Sequence, residues 1–447
     1  MPSLNQNITG PIYVADKREE DYLLINRESG AWAVSDFAGV LTLGIGGEAA
    51  AATFSSPLRS LLQSPGAIPP ACHVEPLILI YKLTDACNYR CSYCYDRTVS
   101  RPTKGGRRSA TVREILDRTL PDRPVMLLFH GGEPLLEFEE LHDLVLAYKH
   151  FTPDRLFFSL QTNLSRLDQP KLDFLQEHRF GICVSVDGHN SELNRLRMIG
   201  TRPDPYQLLI NKIRGLRGLH ADRLGLLMTV GKHNASELTD SLLAFQDDGF
   251  KSVSFSFMQN SGPSEYRASP DELIASLVSV ARAIVEKKID SLACMTLIQW
   301  VRRIVYGRSG LVCLGMPCGA GHSVATVLAD GDIGPCDSVF SSGFFHSDVG
   351  YYMRGLESDP LLMALRVRGV GNLRPCSVCD VRPHCNGTCP GAAMLENGDI
   401  QSVDSHQCAF HYGLIRELLW ILCDPGAGPV LLGYCNRHLM EKKTHGF

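Results

Sequence analysis

The chain has 447 residues, 44% apolar and 21% charged, with a formal net charge of −4. That balance gives no basic face for a polyanion, so nucleic acid is excluded as an expected partner. No apolar run approaches the roughly 20 residues a membrane span needs, and the N-terminus has no basic-then-apolar leader. A cytoplasmic protein without a membrane partner is the expectation. Against that ordinary background, sixteen cysteines stand out. In a reducing compartment thiols bind metal more often than they pair, and a chain this long does not need disulfide staples to fold.

Residues 1–74 read as a small α+β unit. Strands are expected at 13–15, 22–25 and 31–34, the last two joined by a turn at 27–30, with helical stretches near 37–43 and 57–63. The segment SPGAIPPACHVEP then reads as a linker, punctuated by proline and glycine. From 75 to about 300, strand-like runs at 77–83, 125–129, 156–161, 182–186, 224–230 and 253–258 alternate with amphipathic stretches. These stretches are 112–119, 141–150, 169–178, 206–219 and 236–248. Such alternation predicts an α/β fold with a parallel sheet and crossover helices, whose functional groups gather at the C-terminal strand ends. Residues 301–447 are rich in glycine, proline and cysteine, with little periodicity before a helix near 405–422. A region this irregular needs an internal cross-link, and metal would provide one.

The first cysteine group, DACNYRCSYCYD, places Cys87, Cys91 and Cys94 on one loop after the first strand of the central unit. Three thiolates can hold three corners of a [4Fe–4S] cube, leaving one iron open to a small molecule. Half a zinc site is the alternative, but no nearby histidine or cysteine completes four ligands. The next strand ends in His130–Gly131–Gly132–Glu133–Pro134, the third in Gln161–Thr162–Asn163 and the fourth in Ser185–Val186–Asp187–Gly188. Glycines let backbone approach a ligand closely, and a carboxylate accepts from an ammonium.

The cysteine spacing, with aromatic Tyr93 before the third thiol, resembles the signature of the radical S-adenosylmethionine (SAM) superfamily. The resemblance implies a partial (β/α)6 barrel. In that family SAM chelates the open iron through its amino and carboxylate groups. One electron then cleaves it to a 5′-deoxyadenosyl radical that abstracts hydrogen from the substrate. GGEP resembles the motif that binds the methionine end of SAM. By similarity to anaerobic sulfatase maturases, Ser185 and Arg195 would hold the SAM carboxylate, with Arg197 a rival for the cation. Tyr93 would touch the adenine through its backbone, and Met258 would pack against that base or serve as ordinary core. Gly131, Gly132, Glu133 and Asn163 complete the implied cofactor contacts.

The second cysteine group comprises Cys313, Cys318, Cys336, Cys376, Cys379, Cys385, Cys389 and Cys408. Eight thiolates suit two cubes, and spacing alone admits two zinc sites equally. The pattern resembles the SPASM domain appended to several peptide-modifying radical SAM enzymes. Carried over, it assigns Cys313, Cys318, Cys336 and Cys389 to one auxiliary cluster and Cys376, Cys379, Cys385 and Cys408 to the other. That makes three [4Fe–4S] clusters, with neither auxiliary cluster having an open iron. Asp337, directly after Cys336, matches the position of the proton acceptor proposed in the maturases. Cys183 reads as core, and Cys72, Cys294, Cys423 and Cys435 as plain thiols.

Three enzymatic readings follow. The first is a maturase that cross-links, or otherwise modifies, a ribosomally made peptide. Residues 1–74 would then resemble a small domain that binds a precursor by strand addition. The second is an anaerobic sulfatase maturase forming formylglycine, and the third an enzyme acting on a small molecule. Against the second stand the long N-terminal unit and Cys94–Tyr95–Asp96 where those enzymes usually have Cys-Phe-Tyr. A non-enzymatic metal-binding interaction protein is the remaining alternative. The family resemblance also implies an external electron donor such as flavodoxin or ferredoxin.

Overall fold

The computed structural model describes residues 7–9, 12–19, 21–28, 30–36, 76–95, 107–197, 204–258, 264–307, 312–314, 318–338 and 344–445. The helical stretches expected at 37–43 and 57–63, most of the proline-rich linker and Cys72 lie outside them.

The centre is a sheet of parallel strands β5 (Leu77–Thr84), β6 (Val125–Gly131), β7 (Leu156–Thr162), β8 (Gly181–Ser185), β9 (Leu224–Val230) and β10 (Ser252–Phe257). They neighbour one another in chain order, and β5 does not pair with β10, so the six strands form the expected open barrel. β7 and β9 alternate buried and half-buried side chains along their whole length. β5 is buried at nearly every position, as a strand covered on both faces must be. Crossover helices α1 (Arg107–Thr119), α2 (Phe138–Tyr148), α3 (Gln169–Glu177), α4 (Pro205–Gly215) and α5 (Leu238–Asp247) link the strands. Helix starts are written locally. Asp168 and Asp204 cap α3 and α4, and Ser269 caps α6 (Pro270–Val285) in a reciprocal capping box with Glu272. Each of the three helices has proline in its first turn, where no amide partner is lost.

Strands on both sides of the sequence break near 300 join the same sheet. β11 (Ala293–Cys294) extends the sheet beyond β10, and β12 (Val324–Val327) pairs parallel with β5 on the opposite flank, followed by antiparallel β13 (Ile333–Gly334). The polypeptide of the cysteine-rich region is thus stitched beside the strand that bears the first cysteine loop. Helix α7 (Met295–Tyr306) precedes it. Helices α8 (Val349–Ser358), α9 (Pro360–Val367), α10 (Pro390–Asn397), α11 (Ser405–Cys423) and α12 (Ala427–His445) follow. Phe410 of α11 packs against Phe257, with ring centroids 4.9 Å apart. Tyr434 of α12 accepts from the Cys294 amide at 2.8 Å and donates to the Leu292 carbonyl at 2.6 Å. Among the described residues no single helix is long and apolar enough to cross a membrane.

The N-terminal strands β1 (Asn7–Thr9), β2 (Ile12–Arg18), β3 (Asp21–Asn26) and β4 (Trp32–Asp36) form a separate antiparallel sheet in chain order. It docks on the C-terminal region. The Trp420 indole donates to Asp16 at 2.9 Å, Arg416 pairs with Asp16, and Trp32 meets His384 edge-on at 5.4 Å. The β3–β4 turn places Gly30 at φ +72°, and a Cβ there would stand 2.9 Å from the Pro383 Cβ. Glycine therefore serves both the left-handed turn and the close approach.

Candidate active site

Cys87, Cys91 and Cys94 lie on the loop leaving β5, at the C-terminal end of the sheet where the parallel topology concentrates function. Burial pushes the Cys91 thiol up to about 11; nearby Arg197 pulls it down, and Asp187, Cys94 and Cys87 push it up. The three thiols are thus electrostatic neighbours that need a cation to become thiolates. Among the described residues no three His, Cys, Asp or Glu side chains converge closely enough to hold a single ion.

The loop is held by the next strand end. Gly132 donates to the Thr84 carbonyl at 2.7 Å and Glu133 to the Ala86 carbonyl at 2.9 Å. A Cβ on Gly132 would fall 2.1 Å from the Ala86 oxygen, and one on Gly131, at φ +112°, 2.5 Å from the Thr84 oxygen. The glycines therefore admit the cysteine loop itself, a reason different from the ligand approach expected from the sequence. Glu133 is fully buried. Its Oε1 accepts from Thr162 Oγ1 at 2.6 Å and the Leu135 amide at 3.1 Å, and its Oε2 from the Asn163 amide at 2.7 Å. Burial raises its pKa and these three donors partly offset the rise. With three of about four acceptor positions taken, Glu133 braces three strand ends first and has one position left for a ligand. Asn163 reaches toward the loop, its Nδ2 3.0 Å from Asn88 Oδ1 and 3.9 Å from Cys87 Sγ.

A buried network forms the other wall. Tyr93 donates to Asp187 Oδ2 at 2.5 Å and accepts from Arg197 Nη1 at 2.7 Å, while Arg197 lies 3.5 Å from Asp187 Oδ1. Burial works against the Arg197 charge, but Tyr93, Cys91 and Asp187 more than compensate. Arg195 is not brought here. Its side chain is exposed and tied to Glu192 at 2.9 Å, whereas Arg197 is the arginine inside this buried network. Residues 191–197 run as consecutive turns, which carry no periodicity to tell one arginine from the other. Ser185 ends β8, half-buried and level with Leu227. Met258 packs with Tyr93 and Leu196 in a small apolar cluster against Cys91 and Tyr266.

The C-terminal thiols fall into two groups. Burial pushes Cys336 well up, reinforced by Asp337, Cys313, Cys389 and Cys318. Burial likewise takes Cys385 to about 11, with Cys376 and Cys408 adding to it, and Cys379 to about 12, with Asp380, Cys385 and Cys376 adding. Among the described cysteines none is bridged to another. The Arg368 guanidinium, almost fully buried, donates to the carbonyls of Ile400, Thr388 and Ser402 at 2.5, 2.9 and 2.7 Å. Its charge is felt by Cys389, Cys318, Cys376 and Cys385, so it stands between both groups. His411 Nδ1 lies 3.6 Å from Cys385 Sγ. No local signal marks Arg368 or His411, since both act on cysteines distant in sequence.

Asp337 joins the two ends of the site. Its Oδ2 accepts from Tyr95, the residue after Cys94, at 3.0 Å, and Cys336 Sγ lies 3.4 Å from its Oδ1. Buried Lys82, at the end of β5, sets its ammonium 4.9 Å over the Tyr95 ring.

Residues 81–244 match the Radical SAM superfamily model. A cysteine-type anaerobic sulfatase-maturating enzyme from Clostridium perfringens is 28% identical over 197 residues, 41% of this chain and 52% of that enzyme. The fold is shared with native anSMEcpe bound to AdoMet and the Cp18Cys peptide. There the TM-score is 0.64 at 19% identity, over 81% of this chain and 99% of the other. Streptococcus suis SuiB bound to S-adenosylmethionine has a TM-score of 0.56 at 16% identity, over 87% and 96% of the two chains. On this match, and with the thiol loop, strand ends and parallel sheet in place, residues 81–244 are a domain of the radical SAM superfamily.

Proposed function

We propose that the protein is a radical SAM maturase of a ribosomally made peptide, installing a post-translational bond at an unactivated carbon. The observation that carries this reading is the grouping of eleven thiols as three, four and four, with Asp337 hydrogen-bonded between the loops of Cys94 and Cys336. Cys87, Cys91 and Cys94 would hold the cluster that takes SAM, and the eight others two auxiliary clusters. Bound there, the cluster and SAM supply the one-electron chemistry that removes a hydrogen atom from the substrate. Arg197 offers the buried cation for a carboxylate, Glu133 and Asn163 fix the strand ends beside it, and Asp337 accepts a proton. Peptide as the substrate class is supported by the anSMEcpe complex with the Cp18Cys peptide and the SuiB complex with precursor peptide SuiA.

Co-expression with a short peptide encoded beside the gene tests the reading. The expected product is a peptide lighter by two hydrogens, with fragmentation locating a new bond between side chains. In the same assay, an enzyme lacking residues 1–74 should still cleave SAM but bind the peptide less well, because β1 pairs with only β2 among the described residues. Equal affinity with and without that unit assigns it to structure. Formylglycine in a co-expressed sulfatase, with the peptide unchanged, would establish the second reading, which the Clostridium perfringens relative favours.

Three cubes predict about 12 irons per chain, with matching sulfide, after anaerobic reconstitution. An active preparation holding about 4 irons and two zincs would overturn the auxiliary assignment.

A further inference from the structure

We propose that Arg368 is a positioning residue for both auxiliary clusters, a permanent cation seated between them that eases the reduction of each. The inference rests on the cluster reading above and adds to it a residue outside the cysteine motifs. Arg368 closes α9 as its C-cap residue and is only 2% exposed. Every partner of its guanidinium is a backbone carbonyl: Ile400, Thr388 and Ser402 at 2.5, 2.9 and 2.7 Å, with Gly387 more distant at 3.4 Å. Among the described residues no carboxylate meets it. Carbonyl dipoles shield a charge without cancelling it, and a buried cation left without an anion is costly. The fold therefore calls for negative charge from another source at this point.

The carbonyls it holds belong to the chain that joins the two thiol sets. Gly387 and Thr388 lie in the short bridge between Cys385 and Cys389, which are assigned above to different clusters. Thr388 sits at φ +39°, a conformation that a β-branched residue keeps only when its surroundings hold it. Two bonds hold it here: its carbonyl accepts from Arg368, and its Oγ1 accepts from the Asp404 amide at 3.1 Å. Asp404 caps α11, and its carbonyl accepts from the Cys408 amide at 2.9 Å. Ile400 and Ser402 stand on the approach to that helix. One guanidinium thus ties the Cys385–Cys389 bridge to the segment that delivers Cys408. From the same bridge, Asn386 donates to the Cys313 carbonyl at 2.5 Å.

The thiols around it complete the argument. Burial lowers the Arg368 pKa, while Cys389, Cys318, Cys376 and Cys385 pull it back up, two from each set of four. A cube on four thiolates carries net negative charge and gains more on reduction, and its potential follows the charge and hydrogen bonding around it. A fixed cation in a low-dielectric interior therefore favours the reduced form of a neighbouring cluster. Arginine suits the place, because its guanidinium keeps its charge when buried and its rigid fork of donors satisfies several carbonyls at once. With no carboxylate to neutralise it, one charge acts on both clusters, and its removal should make both harder to reduce.

Redox titration of the anaerobically reconstituted full chain, followed by paramagnetic resonance, tests the assignment, with iron and sulfide measured in every sample. The signal that added SAM perturbs marks the cluster of the Cys87 loop and serves as the internal control. Arg368→Met should make one-electron reduction of both auxiliary clusters about tenfold less favourable, a shift of about 59 mV to more negative potential. The loop cluster should stay within about twofold, because the thiols that feel Arg368 are those of the C-terminal sets. Arg368→Lys, which keeps a cation but loses the fork, should recover most of the shift. Unchanged auxiliary potentials in Arg368→Met overturn the proposal. So does a shift confined to one auxiliary cluster, one shared equally by the loop cluster, or one that Arg368→Lys fails to recover. If Arg368→Met loses iron, Arg368→Lys decides: full iron with wild-type potentials upholds the role of the charge, and iron loss in both variants reduces Arg368 to a backbone clamp. A wild-type protein whose C-terminal sites take zinc, or show no reduction step, instead sinks the cluster reading on which the proposal stands.

Discussion

Replacing Cys87, Cys91 and Cys94 together by alanine is expected to abolish 5′-deoxyadenosine formation while the C-terminal thiols keep their metal. The three residues share one loop between β5 and α1, and each is an electrostatic neighbour of the others. The eight C-terminal thiols complete two groups of four without them, reinforced by the buried Arg368 cation and the His411 contact at Cys385. The variant should therefore fall from about 12 to about 8 irons per chain after reconstitution. Chromatographic assay of 5′-deoxyadenosine under dithionite is the measurement. Turnover above the no-enzyme background, with the loop cysteines gone, would remove the radical SAM chemistry from this loop. Loss of all iron would show instead that the three sites fold as one unit, for which the Tyr95–Asp337 hydrogen bond offers a physical path.

Much of the core was legible because its signals are local. β9 runs over Leu224–Val230, as the apolar alternation requires, and the other five barrel strands differ from expectation by one or two residues at their ends. The helix at Ser405–Cys423 announces itself by the Asp404 cap and a long periodic run. The cysteine motifs were visible as closely spaced thiols, although for the C-terminal eight the spacing alone admits zinc as readily as iron–sulfur cubes. What stayed hidden depends on distant chain. β12 is a four-residue strand, buried at every position, inside a segment without periodicity, and only its pairing with β5 gives it meaning. α8 and α9 are short and lie in glycine-rich sequence, where propensity decides little. Arg197 and Arg195 differ by two places in a run of turns, so burial against Tyr93 alone separates them. Lys82, His130 and Asp337 meet although β5 and β6 precede Cys336 by some two hundred residues.

Asp337→Asn should lower modified product by about 10²-fold or more while iron content and uncoupled SAM cleavage are retained, the usual scale for losing a general base. The carboxylate sits where two demands meet. Its backbone is fixed by Cys336, whose sulfur also accepts from the Ser338 amide at 3.4 Å, and its Oδ2 is fixed by Tyr95. Burial alone would raise its pKa. The positive charges of Lys82 and His130 and the Tyr95 hydrogen bond outweigh that and hold it below the usual carboxylate value. Sign matters here: a lowered pKa keeps the group deprotonated at neutral pH, so it is available as an acceptor without prior activation, at the cost of intrinsic basicity. A weak base suffices if the proton it takes is acidic. After hydrogen-atom removal, closing a bond or completing a two-electron oxidation sheds one proton and one electron, and loss of the electron makes the remaining proton acidic. If Cys336 holds the auxiliary cluster proposed above, a proton acceptor beside it would stand next to a group able to accept that electron. Asparagine keeps the shape and the Tyr95 contact but cannot take the proton. Product should fail to form while SAM is still consumed, which separates this role from a structural one. Full product yield from an iron-replete Asp337→Asn enzyme would assign the residue to the turn that carries Cys336, and Lys82 or His130 would then be the groups to replace next.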